Sequence, residues 1–88
     1  MKIMEIKTAL ESNGFAVYAD RHEVRASLNG REIRAIRYAA KYVICEVVDG
    51  KWSFFNTRKS QCASDAVASR IVEIVRSGAF ADGDNRAA

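Results

Sequence analysis

The stretch Glu23–Phe54, EVRASLNGREIRAIRYAAKYVICEVVDGKWSF, carries the reading of this chain. It contains two dipeptides, Asn29-Gly30 and Asp49-Gly50, each set between runs of alternating apolar residues. Such pairs favour type I′ turns because both residues accept positive φ, and a two-residue turn between alternating runs marks a β-hairpin. Each turn also sets a register. Around the first, Leu28 faces Arg31, Ala26 faces Ile33 and Arg25 faces Arg34. Around the second, Val48 faces Lys51, Val47 faces Trp52, Cys45 faces Phe54 and Ile44 faces Phe55.

The two hairpins meet at Ala39-Ala40-Lys41. A three-residue loop there pairs Tyr38 with Tyr42, Ile36 with Ile44 and Arg34 with Glu46. A two-residue loop would turn one hairpin's apolar set to the opposite face, because side chains alternate with a period of two. The three-residue loop is therefore expected. Upstream, apolar parity changes from odd (Phe15, Val17) to even (Val24, Ala26, Leu28), which requires a turn or bulge near Asp20-Arg21 and sets Val17 opposite Val24. The outcome is an antiparallel β-meander of three to five short strands. Its core face is expected to collect Phe15, Val17, Val24, Ala26, Leu28, Ile33, Ala35, Val43, Cys45, Val47, Trp52 and Phe54.

Helical periodicity brackets the meander. Ile3, Ile6 and Leu10 recur at helical spacing in Lys2–Asn13, and Asn13-Gly14 supplies the chemistry of a left-handed C-cap. From about Ser60 to Ser77, Val67, Ile71, Ile74 and Val75 form an apolar stripe. Ser60 would serve as its N-cap and Gly78 as its C-cap, with Arg76 in the last turn suiting the helix dipole. The fold class is α+β: N-terminal helix, meander, C-terminal helix, with a single layer of helices on one sheet face. Residues 1–80 form the domain, and the small, polar stretch 81–88 reads as a flexible tail.

Composition narrows the field. At 88 residues, 49% hydrophobic and 28% charged, the chain has the make-up of one globular domain rather than a disordered one. The net charge is +3, and the bias is local: from Arg21 to Lys59 nine Lys/Arg stand against four acids, an excess of five that leaves the remainder at −2. Two cysteines with no CxxC point to a reducing compartment, so a cytoplasmic protein is expected. No stretch approaches the roughly 20 apolar residues of a membrane span.

With both helices on the other side, the second face of the meander would carry Tyr18, Ile36, Tyr38, Tyr42, Ile44 and Phe55, rimmed by Arg25, Arg34 and Glu46. A contiguous apolar patch bordered by charge is what a contact surface looks like, and Tyr, Phe and Arg are enriched at interface centres. These nine residues are the candidate partner-binding site. Arg25 and Arg34 face each other, and Glu23, Glu32 and Glu46 lie close enough to compensate them.

The residue types for chemistry are sparse. His22 is the sole histidine and sits at a turn; Cys45 and Cys62 read as packing residues. No metal-ligand spacing, phosphate loop or nucleophile motif occurs, so no catalytic site, metal or cofactor is expected. The expected function is that of a non-catalytic protein-binding module. Small size, Arg- and Ala-rich composition and lack of motifs suit a bacterial or phage accessory protein, such as an inhibitor that occupies the surface of a host complex in the anti-CRISPR manner. The alternatives are a nucleic-acid-binding module using the basic strands Arg21–Lys41 and a structural homodimer.

Overall fold

The computed structural model of the chain describes residues 2–54 and 61–79. Helix α1 spans Ile3–Glu11, with Ile6 and Leu10 fully buried on its apolar stripe. It stops because Gly14 takes φ 91°, which lets Phe15 N–H donate to the Leu10 carbonyl and Gly14 N–H to that of Glu11. This is a Schellman closure, and it brings Phe15 down onto the same core as Leu10.

Five strands follow in meander order: β1 (Ala16–Ala19), β2 (Glu23–Leu28), β3 (Arg31–Tyr38), β4 (Lys41–Val48) and β5 (Lys51–Phe54). A two-residue strand β6 (Gln61–Cys62) pairs with β4 beyond β5, placing Cys62 opposite Tyr42. A short 3₁₀ turn (Ser64–Ala66) leads into helix α2 (Val67–Ser77), which ends at Gly78 with φ 70°. The architecture is α+β, with one antiparallel sheet and both helices packed on the same face of it. Val24, Ala26, Ile33, Ala35, Tyr42 and Ile44 project from that face to meet Ile6, Leu10, Val67 and Ile71.

Both Asn-Gly and Asp-Gly hairpins form in the expected register, with Arg25 opposite Arg34 and Cys45 opposite Phe54. Asn29 and Asp49 adopt φ 53° and 52°, followed by glycines at 80° and 74°, as type I′ turns require. The pairing of Ile44 with Phe55 lies outside the described residues. Between β1 and β2 the turn falls at the expected place, but Val17 pairs with Ala26 and Ala19 with Val24. Asp20 holds this turn: its Oδ1 accepts the backbone N–H groups of His22 and Glu23 at 2.7 and 3.0 Å. These hydrogen bonds keep the Asp20 carboxyl below its ordinary pKa.

The β3–β4 connection departs from expectation. It is a two-residue turn, Ala39-Ala40, so Tyr38 pairs with Lys41, Arg37 with Tyr42, Ala35 with Ile44 and Ile33 with Glu46. Ala39 takes φ 56° to make it. The one-residue difference turns β4 over: Tyr42, Ile44 and Glu46 face the helices, and Val43, Cys45 and Val47 face away. Trp52 and Phe54, paired with Val47 and Cys45, follow them to the outer side.

Two features make this register favourable. Tyr42 and Ile44 are the bulkier pair and fill the space beneath the helices. Glu46, 4% exposed, meets Arg31, which sits on the same face of β3. Arg31 binds it with both prongs of its guanidinium, Nε to Oε2 at 2.8 Å and Nη2 to Oε1 at 2.7 Å. The same Nη2 also donates to the Ala79 carbonyl just past α2. A buried carboxylate is tolerated because its charge and lone pairs are both met. The carboxylate in turn raises the pKa of the Arg31 guanidinium.

The C-terminal helix also starts later than its sequence pattern implies. Ser60 lies outside the described residues, and Gln61-Cys62 is extended, using the backbone groups of β4 at Tyr42 and Val43. Cys62 is buried in the core from this strand. The apolar stripe itself is in place, with Val67, Ala68, Ile71 and Ile74 buried. The stretch 81–88 read as a tail lies outside the described residues.

Candidate functional site

Neither helix covers the second sheet face. Its central row crosses all five strands of the meander: Tyr18, Arg25, Arg34, Cys45 and Phe54. One neighbouring row is Ala16, Ser27, Glu32, Val47 and Trp52, and the other is Glu23, Ile36 and Val43. Tyr38 and Lys41 close one end.

The repulsion expected between Arg25 and Arg34 is relieved along the strands. Arg25 Nε donates to Glu23 at 2.7 Å and Arg34 Nε to Glu32 at 2.6 Å, while Arg34 also lies 3.9 Å from Glu23. The four side chains form a charge-neutral chain across β2 and β3. Glu46 takes no part in it, being on the other face.

Each arginine is further seated on an aromatic ring. The Arg25 guanidinium is 5.0 Å from the centre of the Tyr18 ring, and that of Arg34 is 5.4 Å from Trp52. Both separations are within the range of a cation–π contact. The Tyr18 hydroxyl donates to Asp20 Oδ2 at 3.0 Å, which raises the phenol's pKa and locks the ring beside Arg25.

Arg34 on β3 and Trp52 on β5 meet across β4, where Cys45 stands between Arg34 and Phe54 in the central row. Cys45 is fully buried, yet it is not a member of the core cluster beneath the helices. Loss of solvent raises its thiol pKa to about 12. A thiol so placed is a packing group, not a nucleophile.

The nine residues expected at a contact surface therefore separate. Tyr18, Arg25, Arg34, Ile36 and Tyr38 share the helix-free face. Tyr42, Ile44 and Glu46 belong to the buried side, as the β3–β4 turn dictates. Phe55 lies outside the described residues. In exchange the face gains Val43, Val47, Trp52 and Phe54, which sequence reasoning assigned to the core. The signal that could have found them is Glu46 itself, a carboxylate that needs a partner if buried and finds one in Arg31.

Among its large apolar side chains Tyr38 is 76% exposed and Tyr18 53% exposed, whereas Ile36, Val43, Val47, Trp52 and Phe54 are partly buried. His22 is exposed in the β1–β2 turn, where its carbonyl accepts the Arg37 N–H at 2.8 Å. Among the described residues, no cluster of three His, Cys, Asp or Glu could hold a metal ion. Among the same residues, no helix is long and apolar enough to cross a membrane.

Fold and site together define a class, an α+β domain whose meander carries both helices on one side and an arginine–aromatic face on the other. No protein-family model, curated protein or solved structure matches the chain.

Proposed function

We propose that this chain is a non-catalytic protein-binding module that engages its partner through the helix-free sheet face. The observation that carries the reading is the arginine–aromatic cluster of Tyr18, Arg25, Arg34 and Trp52, with exposed Tyr38 on the same face. Aromatic residues and arginine are the types enriched where interfaces bind most tightly. Here the ion pairs and stacked rings already hold them, so little side-chain freedom is lost on docking. The two Arg and two Glu of the face balance and Lys41 adds a single charge at its end, which favours a partner recognised by shape and hydrogen bonds over one attracted by bulk charge. The reading extends to an accessory protein of bacterial or phage type that inhibits a host complex by covering its surface.

The nucleic-acid alternative draws less support. Arg25, Arg31 and Arg34, three cations of the Arg21–Lys41 strands, already face carboxylates. It predicts binding that weakens steeply as salt rises. The homodimer alternative is read directly from the mass in solution.

The test is affinity capture from bacterial lysate with nuclease present, followed by titration of the purified partner. Tyr18→Ala combined with Tyr38→Ala should reduce affinity at least tenfold, while stability stays within about 1 kcal/mol because both rings are exposed. Lys7→Glu, on the opposite side of the molecule, should bind like the parent. Equal binding by the tyrosine double variant, or loss of every partner on nuclease treatment, refutes the proposal.

A further inference from the structure

A second feature lies on the helix side, at the end of the sheet away from the Arg31–Glu46 pair. The start of α1, the β1–β2 turn and the β3–β4 turn surround a cleft of about 570 Å³. Small-molecule sites typically occupy about 300–1,000 Å³ and combine an apolar floor with a few convergent polar groups. Ile3, Met4 and Tyr42 supply apolar surface here, and Lys2, Arg21 and Arg37 bring a cation from each of three separate segments.

The grouping of charges sets this place apart, with three cations from separate segments lining one cleft. On the sheet, Arg25, Arg31 and Arg34 each hold a glutamate. Lys2, Arg21 and Arg37 form no ion pair with any described residue. The carboxylate lining the cleft, Asp20, is already engaged by two backbone N–H groups and the Tyr18 hydroxyl. Three cations against one committed carboxylate leave the lining at +2.

We infer that this cleft binds a small phosphorylated molecule, with the phosphate among Lys2, Arg21 and Arg37 and the apolar part against Ile3, Met4 and Tyr42. A phosphate dianion matches the excess charge. Its oxygens also suit the planar, two-pronged donors of arginine, which a single carboxylate satisfies for only one side chain at a time. The site is separate from the outer sheet face, so each can stand without the other.

Titration of ¹⁵N-labelled protein with adenosine monophosphate, and separately with inorganic phosphate, tests the assignment at physiological salt. Saturable shifts are expected at the amides of Ile3, Met4, Arg21 and Arg37, with the nucleotide tighter than phosphate. Arg21→Ala with Arg37→Ala should weaken nucleotide binding at least tenfold, and Lys51→Ala, on β5, less than twofold. All three side chains are exposed, and thermal unfolding checks that the variants remain folded. Shifts that do not saturate, that spread over Lys7, Lys41 and Lys51, or that respond equally to both sets of variants overturn the proposal. Tighter binding of single-stranded oligonucleotides with increasing length would assign the cations to a nucleic-acid backbone and overturn it as well.

Discussion

Replacing Glu46 with alanine removes the carboxylate that β4 buries beside Arg31, and the contacts set the magnitude. Hydrogen bonds to charged groups contribute about 1.5–3 kcal/mol, and stranding one member of a buried pair costs about 3–5 kcal/mol. Arg31 retains 17% of its side-chain exposure and still reaches the Ala79 carbonyl, so part of its charge remains met. The expected loss is thus about 2–4 kcal/mol, a large share of the roughly 4–13 kcal/mol typical for 88 residues. Urea denaturation at neutral pH, run as two double-mutant cycles, makes the result specific. Arg31 and Glu46 should couple by about 2 kcal/mol or more, whereas Arg34 and Glu46, on opposite faces, should be additive within about 0.5 kcal/mol. A three-residue β3–β4 loop would reverse this, because it sets Glu46 opposite Arg34. Stronger coupling to Arg34, or a loss below about 1 kcal/mol for Glu46→Ala, refutes the register and the reasoning built on it.

Two further outcomes follow from the same region. Ala39 carries φ 56°, a conformation costing an L-residue about 1–2 kcal/mol, so Ala39→Gly should raise stability by about 0.5–1 kcal/mol after the added chain entropy; a drop in the urea midpoint would contradict the turn. Cys45 is protonated in the folded chain up to about pH 12, whereas an unfolded thiol ionises near about 8.5. Its contribution is intact below that lower value and is lost as pH rises through the window, by up to about 1.4 kcal/mol per pH unit. Chemical denaturation between pH 8 and 10 should show a shallower decline for Cys45→Ala than for the parent, and parallel slopes would rule the effect out.

Local chemistry made most of the architecture legible. Asn29-Gly30 and Asp49-Gly50 name their turns because few residues accept positive φ, and each turn carries its register with it. The stripes of Ile6 and Leu10, and of Ile71 and Ile74, follow helical spacing. With one helix before the meander and one after it along the chain, the α+β class needs no long-range information. Arg25, Arg34, Ile36 and Tyr38 could be placed on one face for the same reason, since they lie on the two strands joined by Asn29-Gly30, and Tyr18 falls on it because the β1–β2 register differs from the expected one by two residues, which keeps the face.

The strand β4 carries no such declaration. Tyr42, Ile44 and Glu46 alternate with Val43, Cys45 and Val47, so either set can face a core, and Ala39-Ala40 has no turn signature to choose between them. The choice depends on groups far along the chain: Arg31 to neutralise Glu46, and the helices to accept Tyr42 and Ile44. The helical pattern after Ser60 likewise gives no hint that Gln61 and Cys62 join the sheet, because their partners are backbone groups of β4. Turns and amphipathic stripes are interactions among neighbours and are written in the residues themselves. A slip of one residue leaves every local preference satisfied, and only the packing of distant segments distinguishes the two alignments.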